Sequence, residues 1–222
     1  MEYLIAILTV MVAYLIGSIN FAVIFTKAFN HTDIRDYGSG NAGTTNVMRV
    51  SGVKAGTLTF IADALKGVAA CLIGLFVFGS ILPDTHIFSA VYGRFLCGFA
   101  CMVGHCWPIF FQFRGGKAAA TSVGIFAVCC PIAIVLGLIG FATSFAINKM
   151  VSFGSLTATV IVVIVTVIGA FCGLLGDTNP YIITLIMVVC GSIVFLRHKE
   201  NIIRIANGTE KKFTIKQEKK NG

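Results

Sequence analysis

The sequence predicts an all-α integral membrane protein, a polytopic bundle of about seven transmembrane helices with a short fourth helix, its N-terminus outside and its C-terminus in the cytoplasm. Three observations carry this. The 222 residues are 57% hydrophobic and 12% charged, with a mean hydropathy of +0.91, whereas a water-soluble domain carries about 25% charged residues. Apolar runs recur from residue 3 almost to residue 195, several close to the roughly 20 residues a helix needs to cross the hydrocarbon core. Finally, 15 of the 17 Lys and Arg residues fall in alternate loops and the tail, the bias that marks cytoplasmic segments. The net charge of +8 is therefore read as a topological signal, and no nucleic-acid partner is expected.

Each element follows in turn. Residues 3–25 form a retained first span, because they lack a basic n-region and their apolar stretch is too long for a signal peptide. Residues 56–79 and 92–103 are the second and third spans. The run 118–147 has 30 residues, about 45 Å as one helix, too long for a straight crossing. Pro131 follows Cys129-Cys130 near its middle, and proline ends or kinks a helix at the preceding turn, so the run divides into a short fourth helix and a fifth. Residues 153–175 and 180–196 complete the set. Left undivided, the run would put the basic tail outside, whereas this division leaves Lys27, Arg35, Arg49, Lys54, Arg114, Lys117, Lys149, Arg197 and the tail on one side of the membrane; a five-span variant, with 118–147 partly re-entrant, keeps the same end facing in. The whole chain, 1–222, reads as one membrane-embedded domain, with 197–222 as a cytoplasmic tail solvated from Lys211 on. The eight cysteines show no CxxC pairing and lie mostly in apolar runs, so they are read as packing residues, not as a zinc site or disulfide framework.

The polar residues able to do chemistry fall in three segments on that cytoplasmic side. The first, Gly38-Ser39-Gly40-Asn41-Ala42-Gly43-Thr44-Thr45-Asn46-Val47-Met48-Arg49, interleaves glycines with hydroxyl and amide side chains and closes on an arginine. Such a turn can aim backbone N–H groups at an anion, and Arg49 can clamp a phosphate or carboxylate. The second carries Gly104-His105-Cys106-Trp107-Pro108 and then Arg114-Gly115-Gly116-Lys117 at the start of a helix, where free amides, the helix dipole and Lys117 favour negative charge. It is not a Walker A loop, since Phe111 and Ala118 stand where that motif has Gly and Ser/Thr. The third is Arg197-His198-Lys199-Glu200-Asn201-Ile202. Asp63 and Lys66, at i and i+3 inside the second span, are intramembrane charges of the kind that mark function, or a purely structural pair. Ser152 and Gly154 offer a weaker anion contact.

Taken together, S-G-N-x-G-x-T-N-x-x-R, then G-H-x-x-P with F-[KR]-G-G-K, then R-H-x-E-N resemble the bacterial acyl-phosphate:glycerol-3-phosphate acyltransferase family. The likeness extends from Ser18 to Gly208 and includes the D-x-x-K-G of Asp63, Lys66 and Gly67. It implies a multi-pass enzyme of the bacterial cell membrane, its active site facing the cytoplasm, that moves a fatty acyl group from acyl phosphate to the 1-hydroxyl of glycerol 3-phosphate. Lysophosphatidic acid and phosphate would be the products. Carried over by position, the resemblance places Ser39, Arg49, Lys117, His198 and Asn201 as the catalytic set around glycerol 3-phosphate. It places Gly40, Asn41, Gly43, Thr45, Asn46, Ser152 and Gly154 on the acyl phosphate, with His105, Gly115, Gly116, Asp63, Lys66 and Glu200 as further substrate-binding residues. No cofactor, metal or obligate protein partner is implied, only the two substrates and membrane lipids. Thr44, Arg114 and Ala118 stand where the family usually has Ala, Lys and Gly, the last slightly tightening the turn. The alternatives are a transporter or flippase for a phosphorylated solute and a thiol–quinone redox protein.

Overall fold

The computed structural model describes residues 1–82 and 88–213; Lys216, Lys219 and Lys220 of the expected basic tail lie outside them. Among the described residues the regular structure is all helical: α1 (Glu2–Ser18), α2 (Phe21–Asn30), α3 (Thr44–Phe76), α4 (Ala90–Cys106), α5 (Ala119–Cys129), α6 (Pro131–Asn148), α7 (Val151–Phe171), α8 (Pro180–Arg197) and α9 (Lys199–Ala206). Six stretches among the described residues have the length and hydropathy to cross a membrane, namely Glu2–Asn30, Thr44–Ile81, Ala90–Phe111, Pro131–Asn148, Val151–Phe171 and Pro180–Arg197. This is a multi-pass membrane protein. The expected short fourth helix is α5, whose 11 residues make about 16 Å of helix, less than a full crossing.

The breaks between helices have local causes. The first span is two helices, not one. Ile19 (ψ 113°) and Asn20 (φ −97°, ψ 90°) leave the helical region, and the Asn20 side chain caps α2 by accepting the Val23 amide. The Ile19 carbonyl freed by this break accepts a 2.7 Å hydrogen bond from Lys66 Nζ. In α3 the chain leaves the helix at Gly52 (φ 83°, ψ 171°), a conformation open to glycine and strained for residues with a Cβ, so residues 44–51 form a separate arm before the span. The α5–α6 break falls at Cys130 (φ −155°, ψ 82°) with Pro131 in the first turn of α6, where its missing N–H costs nothing. α7 ends at Phe171, four residues short of the expected end, in a turn where Gly173 and Gly176 take positive φ.

Packing follows membrane rules, in which small residues let backbones approach. A Cβ on Gly17 of α1 would lie 2.2 Å from the Cys101 carbonyl of α4, and one on Gly124 of α5 would lie 1.8 Å from the Ala64 carbonyl of α3. Outward faces are apolar, with Leu4, Leu65, Ile139 and Leu185 exposed, as suits lipid contact. Seven of the eight cysteines are buried and all are free thiols, with Cys71 and Cys129 Sγ atoms 3.8 Å apart between α3 and α5. The three polar segments meet at one end of the bundle, joined by the hydrogen bonds described next.

Candidate active site

The first glycine-rich turn is built around one amide side chain. Asn46, 1% exposed, accepts the Ser39 N–H on Oδ1 at 2.9 Å and donates from Nδ2 to the carbonyls of Tyr37 at 2.9 Å and Ile34 at 3.3 Å. Its hydrogen-bonding capacity is thus largely committed to shaping the turn. A Cβ on Gly38 would fall 2.2 Å from that Oδ1. Gly43 then caps the α3 arm, whose Thr44 and Thr45 amides have no intrahelical partner, and Arg49 lies exposed on the next turn. The approach to this glycine-rich turn is tied to the second segment by Arg35, which donates to the Phe111 carbonyl at 2.9 Å while Asp33 grips the guanidinium at 2.8 and 3.0 Å. The Arg35 guanidinium holds the Asp33 carboxyl below its ordinary range, against the opposing effect of burial.

The second turn is locked from two sides. Arg197, at the end of α8, donates to the carbonyls of Gly115 at 2.8 Å and Gly116 at 2.9 Å, and the Gly116 amide donates to the His105 carbonyl at 3.1 Å. There is no room for side chains: a Cβ on Gly115 would lie 2.1 Å from the His105 carbonyl, and one on Gly116 would lie 2.2 Å from His105 Nε2 and 2.7 Å from the Ala42 carbonyl of the first turn. The two glycine-rich turns therefore abut. Lys117 emerges from this junction, half-buried. Burial, reinforced by the positive charges of Arg204, Arg197 and Arg49, lowers its ammonium to about 8.

The third segment closes the ring. Lys117 Nζ donates to Asn201 Oδ1, and Asn201 Nδ2 donates to Glu210 Oε1 at 2.7 Å. The same carboxylate accepts Ser152 Oγ at 2.7 Å and Arg204 Nε at 2.7 Å. Burial alone would raise the Glu210 carboxyl, yet the hydrogen bonds from Ser152, Asn201 and Arg204 outweigh it and hold the group below its usual range. His198, 3% exposed, has Nδ1 2.8 Å from the Val194 carbonyl. A carbonyl only accepts, so Nδ1 carries the hydrogen and Nε2 is left as the acceptor in the neutral ring. Burial lowers His198 to about 4, against the raising effect of that bond.

These groups rim a cavity of about 1040 Å³. Its mouth holds Ser39, Arg49, Lys117, His198, Asn201 and Ser152; its deeper wall is apolar, with Phe126, Ile134, Val162 and Met187. Gly40, Asn41, Gly43, Thr45, Asn46, His105, Gly115, Asp63 and Glu200 also line it, but Gly116, Gly154 and Lys66 do not. Gly116 is packed between His105 and Ala42 as above. Gly154 serves helix packing, since its Cβ would lie 2.9 Å from Phe141 Cδ2 and 3.1 Å from the Phe141 carbonyl. Lys66 is turned away into a buried pair with Asp63 at 2.8 Å, with His105 Nδ1 3.5 Å from the same carboxylate oxygen.

Sequence reasoning missed Arg204 and Glu210 as parts of the site, and it gave Arg197, the head of the third segment, no role of its own. It also read the chain as solvated from Lys211 on, whereas Phe213 is packed. Phe213 donates its N–H to the Lys149 carbonyl at 2.7 Å and sets its ring edge against Phe145, 6.1 Å between centroids. No local pattern in 207–213 signals this return; it depends on groups more than 50 residues away.

A family profile described as glycerol-3-phosphate acyltransferase matches residues 7–208. A glycerol-3-phosphate acyltransferase of Thermoanaerobacter sp. (strain X514) is 43% identical, covering 96% of this chain and 98% of its own length. Glycerol-3-phosphate acyltransferase 2 of Bacillus anthracis is 41% identical over 93% of this chain and 98% of its own. Among solved structures, PlsY (YgiH), an integral membrane glycerol 3-phosphate acyltransferase in its glycerol 3-phosphate form, superposes with a TM-score of 0.77 at 32% identity, covering 94% of this chain and 96% of its own. Its lysophosphatidic acid form gives 0.75 at 31% identity, covering 95% and 96%. With this cavity, these turns and these relatives along almost the whole chain, the protein belongs to the bacterial PlsY family of integral membrane glycerol-3-phosphate acyltransferases.

Proposed function

We propose that the protein transfers a fatty acyl group from acyl phosphate to the 1-hydroxyl of glycerol 3-phosphate, releasing lysophosphatidic acid and inorganic phosphate at the cytoplasmic face of the cell membrane. The observation that carries this is a single cavity whose mouth is cationic and amide-rich and whose depth is apolar. An acyl phosphate has that same polarity along its length. Two phosphorylated substrates call for two anion sites, and two glycine-rich turns, served by Arg49 and Lys117, abut at the mouth.

In the step itself, the C1 oxygen of glycerol 3-phosphate forms a bond to the acyl carbonyl carbon and the bond from that carbon to phosphate breaks, its electron pair leaving on phosphate. The donor is already an activated anhydride, so orientation and stabilisation of the developing oxyanion are what the site has to supply. The hydroxyl proton needs an acceptor whose pKa lies near the working pH. His198, lowered to about 4, is a weak base, whereas a phosphate monoester titrates near 6. The proton therefore goes to a phosphate oxygen, and His198 Nε2, an acceptor, orients the substrate by taking the hydrogen bond of its other hydroxyl, on C2.

The test is to supply purified protein with palmitoyl phosphate and glycerol 3-phosphate, with palmitoyl-CoA as a parallel donor, and to follow phosphate and lysophosphatidic acid together. One phosphate per product, from acyl phosphate only, is the expected result. Product from palmitoyl-CoA alone would overturn the donor, and no product alongside solute uptake into sealed vesicles would replace the reading with transport.

A further inference from the structure

We infer that Gly191 of α8, facing Val163 of α7, is the waist of the cavity's apolar arm and sets which acyl chains the enzyme accepts, an inference that rests on the acyl-transfer reading above. Glycine is the least favourable helix residue after proline, so one in mid-span calls for a reason. At four other helix positions the reason is contact. A Cβ on Gly17, Gly74, Gly104 or Gly124 would come within 2.3 Å of a backbone oxygen of a neighbouring helix. Gly191 is different: a Cβ there would meet one atom within 4 Å, Val163 Cγ2 at 3.1 Å. Yet Gly191 is buried, and both it and Val163 line the cavity. The space its missing side chain leaves is the cavity itself.

The placement suits selection by length. Gly191 precedes His198 by seven residues, about 10 Å along the helix, so a short chain anchored at the mouth ends near the waist while a long one must pass it. Beyond the waist the arm continues to Met187, fully buried one turn further along α8, and to Ile134 of α6. A side chain at 191 would fill the passage without touching the anion sites.

The experiment compares kcat/KM for octanoyl, lauroyl and palmitoyl phosphate in the wild type and in Gly191→Leu. The octanoyl-to-palmitoyl ratio is expected to rise at least roughly tenfold, from the overpacking a long chain then suffers, with the rate on the short chain nearly kept. Adding Val163→Ala to Gly191→Leu should return the ratio toward wild type. If Gly191→Leu does not fold, Gly191→Ala and Val163→Phe narrow the same passage from its two sides and should move the ratio in the same direction. A folded variant that loses all chain lengths equally, or a ratio unchanged within about twofold, overturns the role of Gly191. A wild type inactive on every acyl phosphate would instead sink the donor assignment, and the same series run with acyl-CoA donors would then test the waist.

Discussion

The two glycine-rich turns do the same job with opposite engineering. The first, around Ser39 and Gly40, is held by a neutral amide, Asn46, buried inside the turn, and it presents its cation, Arg49, to the open mouth. The second, Gly115-Gly116, is held from outside by the charged fork of Arg197 and presents a cation, Lys117, that is partly desolvated. An exposed guanidinium stays charged at all relevant pH and keeps a bidentate grip, whereas a desolvated ammonium interacts more strongly with an anion but can lose its proton. The comparison predicts one site that tolerates change in pH and one that does not.

The largest effects come from removing the cations. Arg49→Ala and Lys117→Ala should each lower kcat/KM by about 10³-fold, the range found for loss of a group that stabilises transition-state charge, while the folded protein still elutes as a single species in detergent. Near-wild-type activity in both would mean that neither turn binds a reacting phosphate. Next are the two locks. Asn46→Ala and Arg197→Met each strand buried backbone carbonyls, a loss of about 1–3 kcal/mol apiece. Hydrogen exchange should localise the damage differently, around 37–46 for Asn46→Ala and around 114–118 for Arg197→Met. If either variant loosens both turns alike, the turns are one mechanical unit.

How much of this was legible in the sequence depends on the range of the interaction. The α5–α6 break at Pro131 and the convergence of the three polar segments follow from local rules, proline geometry and the Lys/Arg bias. The break at Asn20 was missed because Gly17, Ser18 and Asn20 interrupt the apolar run 3–25 only briefly and a single Asn cap is a weak signal inside it. The Asp63–Lys66 pair was correctly suspected, but its contact with the Ile19 carbonyl depends on that unseen break. Glu210 was invisible because it joins Asn201 and Arg204 of α9 to Ser152 of α7, and no local pattern signals the reach to α7. Gly154 and Gly191 look alike in sequence. One abuts Phe141 and the other opens on the cavity, a difference only packing decides.

The asymmetry between the cations gives a pH signature. Lys117 is lowered from 10.5 to about 8, so kcat/KM for glycerol 3-phosphate should be level between the titration of the substrate phosphate near 6 and about pH 8, and fall up to about tenfold per unit above that, since this ratio reports the free enzyme and free substrate. Lys117→Arg, whose charge does not titrate there, should remove the alkaline limb even if it lowers the plateau. Stability should move the other way. Between about 8 and 10.5 the unfolded chain holds a proton at this site that the folded one has released, so the contribution of Lys117 to unfolding free energy rises with pH. An alkaline limb that persists in Lys117→Arg would assign it to another group.

The smallest effect concerns the residue after Lys117. Ala118 starts α5 in the left-handed region, φ 63° and ψ 6°, which costs a residue with a Cβ about 1–2 kcal/mol. Glycine would relieve that strain but would lose about 0.4–1 kcal/mol through the freer unfolded chain, and deleting a fully buried methyl forfeits roughly another 0.8 kcal/mol. The terms nearly cancel, so Ala118→Gly should shift Tm by no more than a few degrees and leave KM for glycerol 3-phosphate within about twofold. That near-neutrality is what the lock model requires, because Arg197 and the His105 carbonyl, not residue 118, hold Gly115 and Gly116 in place. A large rise in KM for Ala118→Gly, with Tm unchanged, would show that the stiff alanine itself aims Lys117 and that the second turn is rigid by backbone restriction as well as by its locks.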